Sequence, residues 1–264
     1  MTKVEPSAHD LDTCYVTYSG YRTHNEDNSY IFVTHDLGKT WEDLSAGMMN
    51  PVNDIEEDPD NPNVLYLATD YGVFVTMDKG KSWLKMSTTA PDVLIMDLDI
   101  QKRERDLVIG TYGRGIYIAD IFPFKEFKKE TFDKDSYLFD IERTIKWNMF
   151  EMRGPRFGEF ACVDNPAVLA TIYYYLKEPA KSVRLVIKDL EGNNISEITG
   201  QTQKGIKKVT WDLRKRAEQE ERPRFGFGRR PSTVEPGVFN VTLIVNDKEV
   251  ATKKLEVVQD PTLR

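Results

Sequence analysis

The stretches Thr34-His35-Asp36-Leu37-Gly38-Lys39-Thr40-Trp41 and Thr76-Met77-Asp78-Lys79-Gly80-Lys81-Ser82-Trp83 are two copies of one short motif. Their aspartates lie 42 residues apart, a period typical of repeat architectures. Each copy has the composition of a tight turn between strands. The carboxylate can accept backbone N–H bonds, the glycine allows a positive φ, and the tryptophan can pack where the next strand begins.

The sequence around these motifs also repeats, in three similar blocks: Val4–Thr17, Ile55–Thr69 and Leu98–Thr111. Each block predicts a strand, a polar turn and a second strand, because β-branched and aromatic residues alternate on both sides of the turn. A third strand is predicted after each block, at Ser29–Val33, Val73–Thr76 and Ile116–Ala119. Strands this close together, with no segment of helical period between them, indicate antiparallel meanders.

The pattern Ser/Thr-x-Asp-x-Gly-x-Ser/Thr-Trp resembles the Asp-box, or bacterial neuraminidase repeat, of sialidase-like, xyloglucanase-like and sortilin-like β-propellers. The resemblance implies an all-β fold in which residues 1–122 form a partial propeller of three blades. The last blade is expected to lack its outer strand, since no Asp-box follows Asp120. A propeller covers its edges by closing into a ring, so we expect a C-terminal part of a longer polypeptide that supplies the remaining blades. An open stack that self-associates is the alternative.

Strand order also predicts where each turn lies. With strands A to D numbered outward from the axis, A–B and C–D turns share one edge of each blade, and B–C turns lie at the other. The Asp-boxes are C–D turns, so we expect a structural role for the following residues: Asp36, Gly38, Trp41, Asp78, Gly80 and Trp83.

Binding residues are expected at the opposite edge, since loops on one side of a rigid scaffold usually carry the ligand site. Aromatic faces stack on sugars, and arginine forks bind carboxylates. The candidates for a carbohydrate or peptide ligand are Tyr21, Arg22, His24, Asp70, Tyr71, Tyr112 and Arg114. For Arg114 an alternative is a bracing role, in which its guanidinium bonds backbone carbonyls of its own hairpin.

No catalytic residue is assigned from the sequence. Glycoside hydrolysis generally requires two carboxylates at a defined separation. Only Asp70, Glu26 and Asp27 are candidates at this edge, and no motif pairs them.

The second half predicts a different domain. Residues 123–165 are expected to form a linker and docking segment, and residues 166–264 an immunoglobulin-like or fibronectin-type sandwich. Its six predicted strands are Val168–Leu176, Ser182–Asp189, Asn194–Ile198, Lys207–Leu213, Gly237–Asn246 and Glu249–Val258. Trp211 is expected in the core. The arginine- and phenylalanine-bearing segment 215–233 is interpreted as a solvated loop, with an anion-binding role as the alternative.

Charge and composition exclude several partners. Residues 1–120 contain 10 Lys/Arg and 21 Asp/Glu, an acidic balance that argues against nucleic acid. No apolar run is long enough to span a bilayer, and the N-terminal residues do not form a signal peptide pattern. Cys14 and Cys162 are expected to be free, buried thiols. No metal or cofactor is expected.

These observations favour a C-terminal part of a secreted propeller protein that contributes ligand binding without complete catalysis by itself. The resemblance implies an extracellular or periplasmic location for the parent protein. One alternative is a glycoside hydrolase that is active in its full-length or oligomeric form. The other is a sortilin-like scaffold that binds peptides or proteins.

Overall fold

The computed structural model describes residues 1–20, 26–86, 91–147, 168–215 and 233–261. This part of the chain is all-β, as predicted, apart from two helices of five residues each, a 3-10 helix (Phe122–Glu126) and α1 (Lys129–Asp133). Neither helix has the length and apolar character needed to cross a membrane. The chain divides into two compact units, Met1–Thr131 and Phe132–Arg264.

Unit 1 contains three antiparallel sheets whose strands are adjacent in chain order. The first sheet consists of β1 (Lys3–Pro6), β2 (Cys14–Ser19), β3 (Ser29–Thr34) and β4 (Glu42–Asp43). The second consists of β5 (Val52–Glu57), β6 (Leu65–Thr69), β7 (Gly72–Thr76) and β8 (Leu84–Lys85). The third has only β9 (Ile95–Gln101), β10 (Asp106–Thr111) and β11 (Ile116–Asp120). The predicted strands of these sheets are confirmed to within two residues.

The three sheets pack through their first strands. β5 lies against β1 and β2 of the first sheet, and β9 lies against β5 and β6 of the second. The core between the first two sheets is formed by Tyr15, Ile31, Val33, Leu44, Val52, Ile55, Leu65 and Leu67. Every residue of β6 is buried, which agrees with its apolar sequence Leu-Tyr-Leu-Ala-Thr, because a central strand covered on both faces needs no polar alternation.

The third sheet ends without a fourth strand because the chain turns away after β11. The 3-10 helix follows at once, and Pro123 in its first turn has no N–H to donate to a strand. Phe124 packs edge-on against Tyr66 of the second sheet, with 5.9 Å between ring centroids. The Asn61 side-chain amide donates to the backbone carbonyls of Phe124 and Phe127, at 2.9 and 2.8 Å. Aromatic packing and the Asn61 hydrogen bonds together hold this segment on the second sheet.

Unit 2 is a sandwich of two sheets over one core. Its strands are β12 (Ser136–Leu138), β13 (Thr144–Lys146), β14 (Ala170–Leu176), β15 (Val183–Lys188), β16 (Asn194–Thr199), β17 (Gly205–Trp211), β18 (Gly237–Val245) and β19 (Lys248–Gln259). One sheet has the order β12-β14-β17, the other β13-β19-β18-β15-β16. Alternate residues of both sheets enter the same core, which includes Trp211 and Tyr174. All six predicted strands are present within two residues of their expected bounds.

The structure differs from the sequence prediction in the segment 123–165. Residues 136–138 pair with β14, and residues 144–146 pair in parallel with β19, so both belong to sheets of unit 2. Three-residue strands are too short to show a period-2 pattern, which is why the sequence does not reveal them. The division between the units falls after Thr131.

Candidate functional site

The turns of unit 1 lie at two opposite edges of its sheets. The Leu37 N–H donates to the carbonyl of Asp12 at 3.1 Å, so the first Asp-box lies beside the A–B turn of its own sheet. In the second sheet the Lys79 N–H donates to Asn63 in the same way, at 3.0 Å. C–D and A–B turns therefore share an edge, and the B–C turns lie at the other.

The Asp36 carboxylate is fully engaged by its own turn. Its Oδ1 accepts bonds from the Thr34 hydroxyl at 2.9 Å and the Thr40 N–H at 2.8 Å. Its Oδ2 accepts the Thr40 hydroxyl at 2.7 Å. Leu37 and Gly38 both have positive φ, 59° and 86°, which closes the turn. The bond from the Thr40 hydroxyl is the main reason that the pKa of Asp36 lies below its usual range.

Asp78 repeats this geometry in the second sheet. Its oxygens accept the Thr76 hydroxyl at 2.7 Å, the Ser82 N–H at 2.9 Å and the Ser82 hydroxyl at 2.6 Å. Burial by itself would raise the pKa of Asp78, but the bonds from Ser82 and Thr76 outweigh burial and lower it. Both aspartates are thus ionised turn acceptors.

At the opposite edge, Asp70 and Tyr71 form the B–C turn of the second sheet. The Asn53 amide donates to Asp70 Oδ1 at 2.8 Å and to the carbonyl of Ile95 at 2.9 Å. Asn53 therefore links this turn to the start of the third sheet. Tyr71 is half exposed, with 53% of its surface accessible, and it presents an aromatic ring at this edge.

Tyr112 and Arg114 form the corresponding turn of the third sheet. The Tyr112 N–H donates to the carbonyl of Leu94, beside Ile95, at 2.9 Å. The Thr111 hydroxyl closes the hairpin, because it donates to the Gly115 carbonyl at 2.6 Å and accepts the Arg114 N–H at 3.1 Å. Tyr112 is 72% exposed. In the part of the chain that the structure describes, the Arg114 guanidinium has no hydrogen-bond partner.

The structure thus brings Asp70, Tyr71, Tyr112 and Arg114 to one edge of two adjacent sheets. Tyr21, Arg22 and His24 lie outside the described residues, as do Cys162 and residues 216–232 of the arginine-bearing loop. Cys14 is a free thiol, as predicted, but it is only partly buried. Glu26 accepts a bond from the Tyr30 hydroxyl at 2.7 Å, so this carboxylate and Asp70 are held by different partners on different sheets.

An ionic cluster on the first strands of the sheets was not predicted from the sequence. The Lys3 ammonium lies 3.1 Å from an Asp54 oxygen and 2.7 Å from a Glu56 oxygen. Asp54 Oδ2 also accepts the Leu98 N–H at 2.9 Å and so reaches the third sheet. Burial and the nearby Glu56 charge raise the pKa of Glu5 to about 7. Charged residues at alternate positions, Lys3 and Glu5 in one strand and Asp54 and Glu56 in the other, were the available signal.

A small pocket with both polar and apolar walls lies between the first two sheets at the Asp-box edge. It has a volume of about 180 Å³, and its wall includes Tyr15, His35, Glu57 and Lys79. Glu57 is buried and accepts bonds from the Ser7 hydroxyl, at 2.8 Å, and the Tyr15 hydroxyl, at 2.9 Å. The volume is below the roughly 300–1,000 Å³ of typical ligand pockets. This pocket therefore suits a small solute better than a polymer.

Within residues 1–20, 26–86, 91–147, 168–215 and 233–261, no group of three or more His, Cys, Asp or Glu side chains is arranged to hold a metal ion.

Comparison with known proteins gives only distant likenesses. No family model and no curated protein matches the chain. It is similar to the extracellular domain of a hybrid two-component system from B. thetaiotaomicron, with 11% identity and a TM-score of 0.36 over 98% of this chain and 32% of that one. A GH74 xyloglucanase from Xanthomonas campestris has 13% sequence identity and a TM-score of 0.37, over 92% of this chain and 35% of that enzyme. An ancestral GH74 enzyme has 10% sequence identity and a TM-score of 0.32, over 96% of this chain and 38% of that enzyme.

The chain spans about a third of the length of these structures. With TM-scores below 0.5, the likenesses carry no argument about function.

Proposed function

We propose that unit 1 is part of an Asp-box β-propeller and that unit 2 is an immunoglobulin-like sandwich. Three features support the propeller interpretation: each sheet is a meander in chain order, the first strand of each sheet packs on the preceding sheet, and the turns at Asp36 and Asp78 share the same hydrogen bonds. The sandwich interpretation is supported by β15 and β18, which pair centrally in one sheet, while β14 and β17 pair in the other.

On this scaffold, the chain binds a carbohydrate or peptide ligand at the edge that carries Asp70, Tyr71, Tyr112 and Arg114. The observation that carries the proposal is the pairing of an exposed, hairpin-held arginine with two exposed tyrosines on adjacent turns. The Asn53 amide donates to the carbonyl of Ile95, and the Tyr112 N–H donates to the carbonyl of the adjacent Leu94. Both turns are therefore fixed to the same backbone segment, and the tyrosines lie on short, hydrogen-bonded turns of the scaffold.

The physical chemistry of this edge favours an anionic or hydroxyl-rich ligand. The Arg114 guanidinium has no hydrogen-bond partner among the described residues and is available for bidentate bonding to a carboxylate. Tyrosine rings stack on the apolar faces of sugars or on peptide side chains, and their hydroxyls stay hydrated. Asp70 keeps one carboxylate oxygen toward Asn53 and can accept a ligand hydroxyl with the other. The parent protein would act outside the cytoplasm, in the extracellular or periplasmic space.

Ligand binding without complete catalysis is the role we assign to this chain. Hydrolysis needs two carboxylates at a defined separation, whereas at this edge Asp70 is bonded by Asn53 and Glu26 by Tyr30, on different sheets. The alternative, a glycoside hydrolase that is active in its full-length or oligomeric form, would draw that second carboxylate from outside unit 1.

The test is an array of neutral oligosaccharides, uronic- or sialic-acid-containing oligosaccharides and short peptides, probed with the full chain. Binding to the best ligand is then measured for Tyr112→Ala and Arg114→Ala. Leu37→Ala and Lys79→Ala are matched controls, because both residues are exposed at the opposite edge.

We expect at least a tenfold loss of affinity for the first two variants and less than a twofold change for the controls. Equal affinity for all four variants would refute the site. Turnover of a fluorogenic glycoside by this chain that Asp70→Asn abolishes would instead support the hydrolase.

A further inference from the structure

The tryptophans of the two Asp-boxes have the same place in the motif but different partners. The Trp83 indole Nε1 donates to the carbonyl of Leu44, which belongs to the preceding sheet, at 2.8 Å. The Trp41 indole Nε1 donates to the carbonyl of Gly38 in its own turn, at 3.2 Å. Trp83 packs against the core between the sheets, whereas 47% of the Trp41 surface is exposed.

The motif glycines show the same contrast. A Cβ at Gly80 would lie 2.9 Å from the Leu44 side chain, so this glycine allows the preceding sheet to approach closely. A Cβ at Gly38 would meet only the Trp41 ring, at 3.7 Å. Gly38 and Trp41 thus occupy the positions that Gly80 and Trp83 use to contact a neighbouring sheet. No sheet of the described chain packs against them.

The strand residues beside Trp41 extend this surface. In the second sheet, Ile55, Leu67 and Phe74 are in register, and all three join the core with the first sheet. In the first sheet, Val4, Val16 and Phe32 pair in the same way and occupy the positions equivalent to Ile55, Leu67 and Phe74. Val4 is 44% exposed there. The neighbouring Tyr18, which packs edge-on against Phe32, is 41% exposed.

We propose that this face of the first sheet, formed by Val4, Tyr18, Phe32 and Trp41 around the buried Val16, is the docking surface for a further four-stranded sheet of the same Asp-box repeat. The docking sheet would end its fourth strand on an apolar residue in the place of Leu44. That residue would pack on Gly38, and its backbone carbonyl would accept the Trp41 indole N–H.

A second copy of this chain does not meet these requirements through its third sheet. The residue equivalent to Leu44 comes directly after the fourth strand of its sheet. In the second sheet this residue is Met86, whose N–H donates to the carbonyl of Val73 as the Leu44 N–H donates to that of Ile31. The third sheet has three strands and continues into the 3-10 helix. It therefore offers no carbonyl at the required place.

This inference extends the propeller part of the proposed function and does not involve the ligand edge. It is tested by placing a second copy of residues 52–94, the second sheet and its following connection, ahead of Met1 in the full chain. All tryptophans except Trp41 are replaced by phenylalanine, and acrylamide quenching of Trp41 is measured with and without the added sheet. A protein that retains only Trp83 provides the reference for a covered indole.

We expect the added sheet to lower the quenching constant of Trp41 to that of the Trp83 reference and to shift its emission to shorter wavelength. Met86→Asp in the added copy should reverse this, because a carboxylate would then lie against Gly38 and the indole. An added sheet that is folded by circular dichroism but leaves Trp41 fully quenchable would overturn the proposal. A fall in quenching of the original chain with rising protein concentration would also overturn it, since a second copy would then be the occupant.

A second measurement applies if the extended chain does not fold. In the original chain, the fall in the urea midpoint caused by Trp83→Ala should be at least three times that caused by Trp41→Ala. Among the described residues, Trp83 packs against a neighbouring sheet and Trp41 does not. Equal losses would show that Trp41 is already packed, and the face would then need no partner.

Discussion

Arg105 and Asp58, which are 47 residues apart in the chain, form a buried ion pair in which Arg105 Nη2 lies 2.8 and 3.1 Å from the two carboxylate oxygens. Asp58 is fully buried, and the Tyr66 hydroxyl donates to the same carboxylate at 2.9 Å. The pair joins the A–B turn of the second sheet to that of the third. A buried charge without its partner keeps its desolvation cost, so this contact makes the two sheets depend on each other.

Asp58→Ala should lower the free energy of unfolding by about 3–5 kcal/mol, because it leaves the Arg105 guanidinium buried without its main partner. The measurement is urea denaturation at pH 7. Asp92→Ala is the matched control, since Asp92 pairs with Lys85 at 2.7 Å on the surface. Exposed pairs contribute only about 0–1 kcal/mol. Similar losses for the two variants would contradict the assignment.

Asp78→Ala should destabilise unit 1 by about 1–3 kcal/mol, because the Thr76 and Ser82 donors of the turn lose their acceptor. Ligand affinity at the opposite edge should stay within twofold of the original protein. Lys81→Ala on the same turn provides the control, with an expected change below about 0.5 kcal/mol. Thermal denaturation and the binding assay check both parts. A selective loss of binding would argue for a ligand-contacting role of Asp78.

Glu5→Gln should raise stability at alkaline pH. Burial and the Glu56 charge raise the pKa of Glu5 from its ordinary value of 4.5 to about 7 in the folded protein. The folded state therefore binds this proton more tightly, and the resulting stability is fully present below about pH 4.5 and lost as the pH rises through about 7. The glutamine variant should be more stable than the original at pH 8 by about 1–3 kcal/mol.

The check on Glu5 is a series of urea titrations between pH 4 and pH 8. The difference between variant and original should grow with pH over this range. Glu104→Gln, at an exposed turn position, should follow the profile of the original protein. Parallel profiles for Glu5→Gln and the original would rule out the raised pKa.

Trp211→Ala should destabilise unit 2 by about 3–5 kcal/mol, because it removes a large buried side chain. Trp211 is 1% exposed, packs edge-on against Phe239 with 5.6 Å between ring centroids, and donates to the Arg214 carbonyl at 3.2 Å. Trp211→Phe keeps most of the volume and should cost less than half as much. A far smaller loss for the alanine variant would contradict a core role, and calorimetry provides the measurement.

The strands were predictable from the sequence because their signal is local. Runs of five to seven residues rich in β-branched, aromatic and other apolar side chains mark β2, β6 and β14, and glycine at a positive φ marks the Asp-box turns. The core role of Trp211 followed from the same pattern. The short strands β12 and β13 gave no such signal, because three residues pair with a neighbour without a period of their own.

The candidate site was predictable only in part. Strand order was enough to assign Asp36 and Asp78 to one edge and Asp70, Tyr71, Tyr112 and Arg114 to the other. Strand order could not show that Asn53 links the two binding turns, since Asn53 is 17 residues from Asp70 and 42 residues from Ile95 in the chain. Nor could it show the bonds that the Glu57 carboxylate accepts from Ser7 and Tyr15.

The sequence by itself determined which segments pair into strands and where the repeat turns fall, since both depend on side-chain pattern and backbone conformation over a few residues. The tertiary structure decided which copies of identical residues become buried. Trp83 reaches Leu44 and Trp41 does not, because burial depends on the sheet that packs alongside. Asp58 became a buried ion-pair partner for the same reason: its environment is built by Arg105 and Tyr66 from other strands and turns.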